Sequence, residues 1–360
     1  MRHAQRTVSQ KNPPRQRTRS SLPKRVPAVV ALLAFLAAQF ELHALLLPED
    51  PPAPARIFAC MYETPVPHAY PGMPPVYTGV AVSKDGGATW TSVGWSTNRS
   101  NDLAVADGEA SLLYLAVDQG LLRSQDGGLT WKLVAGESRF GAALAVETTG
   151  DTVFLGTSTG FHISTDGGET WATHCKGLRP LDGRYVSDIM RCGTSILIAT
   201  ADGVYQSENH GMSWIHLGLR GKRIHTFAKD PAGTGRMLAL GEDSGLWYSD
   251  DSGATWKDLD SPEFGGPVQA AMFHPDSAGV IFVGTHDRGI LKSSDGGRSW
   301  KNVSAGLTIL DITVLAHHPL RSNILYAGTR NGAYISDDGG RLWRQFTLRT
   351  GSISQLTVLP

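Results

Sequence analysis

From residue 56 onward the chain alternates between short apolar runs and breaks marked by glycine. Ile324 to Thr329 is one run, Arg330-Asn331-Gly332 breaks it, and Ala333 to Ser336 begins the next. β-Branched and aromatic residues fill the runs while Gly, Asn and Asp fill the breaks, the pattern of strands joined by tight turns. Ile312 to His317 forms a further run upstream, and Trp300 to Val303 another. The same order returns about every 42 residues, so each unit is expected to be four short antiparallel strands. They are labelled A to D from the axis outward.

Between C and D lies a recurring octapeptide. Its first copy is Ser83-Lys84-Asp85-Gly86-Gly87-Ala88-Thr89-Trp90, and the others begin at Ser124, Ser164, Ser207, Ser249, Ser293 and Ser336. They end in Trp131, Trp171, Trp214, Trp256, Trp300 and Trp343, at spacings of 40 to 44 residues. Ser and Asp side chains accept hydrogen bonds from nearby backbone N–H groups, and the glycines take positive φ at no steric cost. The tryptophan is expected to pack between units with its N–H on a carbonyl. Asp85, Asp126, Asp166, Asp251, Asp295, Asp338 and the variant Asn209 therefore read as folding staples, not as catalytic acids.

These residues resemble the Asp-box (BNR) repeat, S-x-D-x-G-x-T-W, over about residues 55–360. Seven copies in phase imply an all-β, seven-bladed β-propeller. Sialidases, xyloglucanase-type glycoside hydrolases, sortilin-type receptor domains and photosystem II stability/assembly factors share the repeat, so it says little about function. A single ring resembles the last family most, which implies a scaffold or chaperone for membrane-protein assembly. Arg56 to Cys60 matches a B strand, leaving the first blade without strand A. Ile353 to Leu359 matches an A strand and is expected to complete that blade, closing the ring and hiding its edges.

Ahead of the propeller the composition changes. Residues 1–25 carry eight of the chain's 33 Lys and Arg and no acid, so the remainder holds 25 bases against 33 acids. Residues 26–47 are apolar except for Gln39, Glu41 and His43, long enough for one transmembrane helix, and 48–55 form a Pro-rich spacer. The basic flank places the tail in the cytoplasm and the propeller outside. A cleaved signal peptide, giving a secreted protein, is the alternative. An acidic folded part argues against nucleic acid, and the expected partner is a membrane-associated protein bound by a monomer.

Strand parity puts D–A and B–C loops on one face and Asp-boxes on the other. The first face gains a long insertion, Tyr62 to Pro75, with Tyr70, and most of the notable bases: Arg99, Arg139, Arg179, Arg184, Arg220, Lys222, Arg223 and Arg349. This basic set on an acidic domain is the candidate partner surface. No C-x-x-C, H-E-x-x-H, P-loop or G-x-S-x-G pattern is present, so no cofactor or metal is expected. Cys60, Cys175 and Cys192 read as free thiols. A sialidase-class glycosidase remains the alternative, although Arg56-Ile57-Phe58 departs from that family's Arg-Ile-Pro. Glu63, Glu137, Asp182, Glu263 and Asp287 are available carboxylates, and Asp188 is placed to face the channel. A glycan-binding or receptor-like surface module is a third reading.

Overall fold

The computed structural model describes residues 55–62, 79–93, 99–106, 111–242, 245–277, 279–348 and 351–360. The basic tail, the apolar stretch 26–47, Tyr70, Glu63 and Arg349 lie outside the described residues. Among the described residues no helix is long and apolar enough to cross a membrane.

The described strands form seven four-stranded antiparallel sheets. The A strands are Ser352–Leu359 in blade 1, then Ser100–Val105, Ala143–Thr149, Val186–Cys192, Ile224–Lys229, Val268–Phe273 and Ile312–His317 in blades 2 to 7. Blade 1 is closed as the sequence implies: the C-terminal strand pairs antiparallel with Arg56–Tyr62, from Arg56 opposite Leu359 to Tyr62 opposite Ser352.

The core is divided among the seams between blades. Each of seven apolar clusters draws on two adjacent blades and includes one Asp-box tryptophan. Alternation along each strand sends one row of side chains to each neighbouring blade. The indole N–H groups of Trp131, Trp171, Trp214 and Trp343 donate to Val93, Val134, His174 and Val303 O of the preceding blade, at 2.9 to 3.1 Å. Trp90 donates to Gly87 O of its own turn, at 3.1 Å. The indole N–H groups of Trp256 and Trp300 are buried with no acceptor among the described residues. The Trp256 ring lies on Gly218, where a Cβ would stand 2.7 Å from Nε1.

The octapeptide is a closed hydrogen-bond circuit. In blade 2, Ser124 Oγ accepts from Gly128 N at 2.8 Å and donates to Asp126 Oδ1 at 2.8 Å. Asp126 then accepts Thr130 N and Thr130 Oγ1, at 2.8 and 2.6 Å. In the variant turn, Asn209 Oδ1 accepts Ser213 N at 2.9 Å and its amide donates to Ser213 Oγ at 2.8 Å, so the circuit survives without charge.

Candidate functional site

The Asp-box turns donate backbone bonds to A–B corners: Gly127 N to Ser111 O, Gly167 N to Asp151 O and Gly339 N to Asn323 O, at 2.8 to 2.9 Å. Boxes and A–B corners thus share one face, and the D–A and B–C loops form the opposite rim.

On that rim the basic residues fall into separate groups. Arg99 holds its guanidinium 5.5 Å over the Tyr62 ring, where blades 1 and 2 meet. Arg139 sits in a one-turn helix, Glu137–Phe140, stacked 4.7 Å over Phe140. Arg179, Arg184, Arg220, Lys222 and Arg223 gather on the loops before and after blade 4. Arg223 pairs with Glu242 at 2.9 Å and lies 4.9 Å over the Tyr185 ring from the neighbouring loop. Arg184 ends a short 3₁₀ turn, Asp182–Arg184, and is exposed.

One buried carboxylate joins these two loops. Asp202, in the B–C turn of blade 4, accepts Tyr205 Oη at 2.8 Å, Arg179 Nη1 at 3.1 Å and Gly221 N at 3.3 Å. Burial works to raise its pKa, but the bonds from Tyr205 and Arg179 outweigh it and hold the carboxyl below its ordinary value. Arg179 gains a fixed direction from this ion pair, and the 4–5 loop is drawn to the same point. Nothing in Ala201-Asp202-Gly203 distinguishes this Asp from an ordinary turn residue, so the sequence carries no signal for the clamp.

The axial channel, ≈ 1130 Å³, is lined by the A strands. Every A strand carries a bulge or irregularity at its rim end. Bulges re-aim side chains, and here five of the bulged positions reach the next blade. Asn101 donates to Ala143 O, Ser187 to Ile224 O, Thr313 to Ile353 O and Ser354 to Ser100 O, at 2.5 to 2.8 Å. Gln269 donates to Asp311 Oδ1 at 2.8 Å.

One residue further along from Asn101 and Ser187 stand two of the channel's carboxylates, Asp102 and Asp188; Glu147 and Glu242 also line it. Asp102 accepts Leu103 N, Val146 N of blade 3 and Gln355 Nε2 of the closing strand, at 2.6 to 2.8 Å. Asp188 accepts Ile189 N, and Thr226 Oγ1 and Phe227 N of blade 5, at 2.7 to 2.8 Å. Burial pushes Asp102 up to about 7 and Asp188 up to about 6, against those hydrogen bonds. Asp188 faces the channel as its strand position implies; Asp102 belongs to the same class and was not singled out by pattern.

The rim carboxylates Glu137, Asp182, Glu263 and Asp287 are scattered over different loops, and Glu263 accepts Ser261 Oγ. Asp311 binds Arg330 Nε at 2.6 Å and stands 3.6 Å from His286 Nε2. Among the described residues no His, Cys, Asp or Glu cluster suited to a metal is present. Cys60, Cys175 and Cys192 are free.

The BNR/Asp-box repeat model matches residues 162–173, across strand C, the turn and strand D of blade 3. The molecule is a seven-bladed Asp-box β-propeller. This propeller is similar to a xyloglucanase of Hypocrea jecorina (strain QM6a), at 26% identity over 222 residues. That match takes in 58% of this chain but spans only 26% of the relative's length. Among solved structures, YCF48 bound to a D1 peptide aligns with TM-score 0.55 and 20% identity over 69% of this chain and 82% of that one. A GH74 enzyme of Niastella koreensis aligns with TM-score 0.62 and 18% identity over 74% of this chain and 50% of that one. At these identities the structural likeness is one of fold.

Proposed function

We propose that this propeller is a non-catalytic scaffold that binds another protein through its D–A/B–C rim, in the manner of an assembly factor. The observation that carries the reading is the basic group around blade 4, where Asp202 fixes two loops and leaves Arg184, Arg220 and Lys222 exposed. Preorganised, exposed cations on an acidic domain steer and orient an acidic partner. The likeness to YCF48, solved with a D1 peptide, supports a protein ligand. Residues 26–47 would tether a monomeric propeller to a membrane, with the tail inside and the domain outside, and the partner would be membrane-associated.

The xyloglucanase likeness favours a glycosidase as second reading, with Asp102 and Asp188 the channel carboxylates of raised pKa. Each already accepts three hydrogen bonds, two of which come from another blade. A general acid or base needs an oxygen free to meet substrate, so these two serve the ring better than a reaction.

The test is a charge reversal. Arg184→Glu, Arg220→Glu and Lys222→Glu together are expected to cut partner recovery from native membranes at least tenfold while Tm stays within about 2 °C, as for surface changes. Unchanged recovery refutes the rim. Hydrolysis of xyloglucan or sialosides that is lost in Asp102→Asn would establish the second reading instead.

A further inference from the structure

Leu181 is 84% exposed, the highest value among the large apolar side chains of the described residues. It sits at the tip of the loop between blades 3 and 4 with φ 66 and ψ −89. Asp182 N donates to Pro180 O across it at 3.1 Å. That is a γ-turn of the strained, positive-φ kind, rare for a residue with a branched side chain. Leu219, in the next D–A loop, also has positive φ (57) but packs into the seam between blades 4 and 5. Packing accounts for Leu219 and does not account for Leu181.

Such strain costs stability and persists where the surroundings enforce it. Here the enforcement is visible. The base of the loop is fixed by Arg179 on Asp202, by buried Leu178, and by Gly183, where a Cβ would stand 3.0 Å from Tyr205 Oη. The tip is held by Arg184 N on Leu181 O, at 3.0 Å. The loop that carries Leu181 also carries Arg179, Asp182 and Arg184, and through Asp202 and Tyr185 it meets the next loop, which carries Arg220, Lys222 and Arg223, the last paired with Glu242.

We infer that Leu181 is the apolar anchor of the rim, and that its ligand is an acidic protein segment with one large apolar side chain set between carboxylates. This rests on the protein-binding reading of the rim and specifies its ligand. A membrane fits less well. One leucine supplies about 1.5–3 kcal/mol of burial, little for a bilayer, and a bilayer needs no rigid strained turn to meet it. A protein segment rewards both the fixed position and the flanking charges.

The experiment pans a random peptide library against the parent chain, and each enriched peptide is then measured on the Leu181→Gly and Arg184→Glu proteins. Enriched peptides carrying an aliphatic or aromatic residue flanked by Asp or Glu are expected. Their affinity should fall about tenfold in Leu181→Gly, a change of about 1.4 kcal/mol. Because glycine adopts this turn without strain, that variant should melt at or above the parent temperature. A lower Tm would make Leu181 a structural residue and overturn the inference. Peptides that bind Leu181→Gly as well as the parent but lose Arg184→Glu would remove the anchor and keep the rim; insensitivity to both changes would remove the rim itself. Leu181-dependent binding to anionic vesicles, with no acidic peptide selected, would transfer the site to a membrane and also overturn it.

Discussion

Five of the seven Asp-boxes carry two glycines that look alike in the sequence and answer to different constraints. Gly296 has φ 72 and open space where a Cβ would go, whereas Gly297 has φ 88 and would place a Cβ 2.8 Å from Leu259 of the preceding blade. The first position needs only the left-handed conformation, and His210 (φ 55) and Ser252 (φ 60) hold it without glycine. The second remains glycine beside them, since a Cβ at Gly211 or Gly253 would meet Phe161 or Leu217. Gly296→Ala should therefore cost about 1–2 kcal/mol, the left-handed penalty alone. Gly297→Ala adds overpacking and should cost about 2–5 kcal/mol. Urea unfolding of the two variants decides it; equal losses would mean that the seam yields around residue 297. The drift at 210 and 252 was visible in the sequence as loss of a glycine. Its harmlessness was not, because contact with the preceding blade depends on residues about 40 positions away.

At the scale of the element, two kinds of aspartate pull stability in opposite directions with pH. The box carboxylates Asp85, Asp126, Asp166, Asp251 and Asp295 are held down at about 2, chiefly by the hydroxyl of the Thr or Ser four residues on, then by its N–H. Their folded pKa lies below the unfolded value near 4, so their contribution is present above about pH 4 and is lost as pH falls toward 2. Asp102 and Asp188 are raised instead, to about 7 and about 6. Folding favours their protonated forms, so that contribution is whole below about pH 4 and declines as pH rises through 6 and 7. Tm is expected to fall steeply below pH 3, and from pH 4 to 7 Asp102 and Asp188 supply a falling neutral limb that is set against a rise from histidines whose pKa burial lowers, His162 to about 4 and His225, His274 and His318 in the same direction. Asp102→Asn should flatten the neutral limb whatever it does to the absolute Tm, and a limb unchanged in that variant would relieve Asp102 of the role. The box circuit could be read from Ser, Asp and Thr spacing because every bond in it is local. The hydrogen bonds of the channel residues could not. Asn101, Ser187 and Ser354 share a register position only because each A strand is bulged there, and their acceptors lie on another blade.

The propeller is a ring closed by hydrogen bonds, and that closure was legible because Arg56 to Cys60 matches one strand of the repeat and Ile353 to Leu359 another. The rim was legible only as a collection of bases. Which of them face one another depends on Asp202, and which apolar residue stands among them depends on a backbone angle. The closing strand does more than complete blade 1. Ile353 and Leu356 are buried, Ser354 and Gln355 bind blade 2, and Thr313 of blade 7 donates to Ile353 O at 2.5 Å. A chain ending at residue 351 would expose the Arg56–Tyr62 edge and open both adjoining seams, so it should aggregate instead of melting cooperatively. The circuit should be indifferent to where the break lies, since all blades share one strand order. With Arg56 opposite Leu359, residues 360 and 55 can be joined by a short linker and the chain reopened at Gly193–Thr194. Gly193 lies in an A–B corner with nothing within 4 Å of its would-be Cβ. The permutant then closes blade 4 as the parent closes blade 1, by one strand from the C-terminus and three from the N-terminus. Its Tm is expected within about 5 °C of the parent domain, a stability change of about 1–2 kcal/mol for a ring of this size. Removing its new last strand, Val186–Cys192, should be as damaging as removing Ser352–Leu359 from the parent. If the permutant fails while the parent domain folds, blade 1 holds something the other blades lack. The first place to look would then be Asp102, where the closing strand and blades 2 and 3 share one carboxylate.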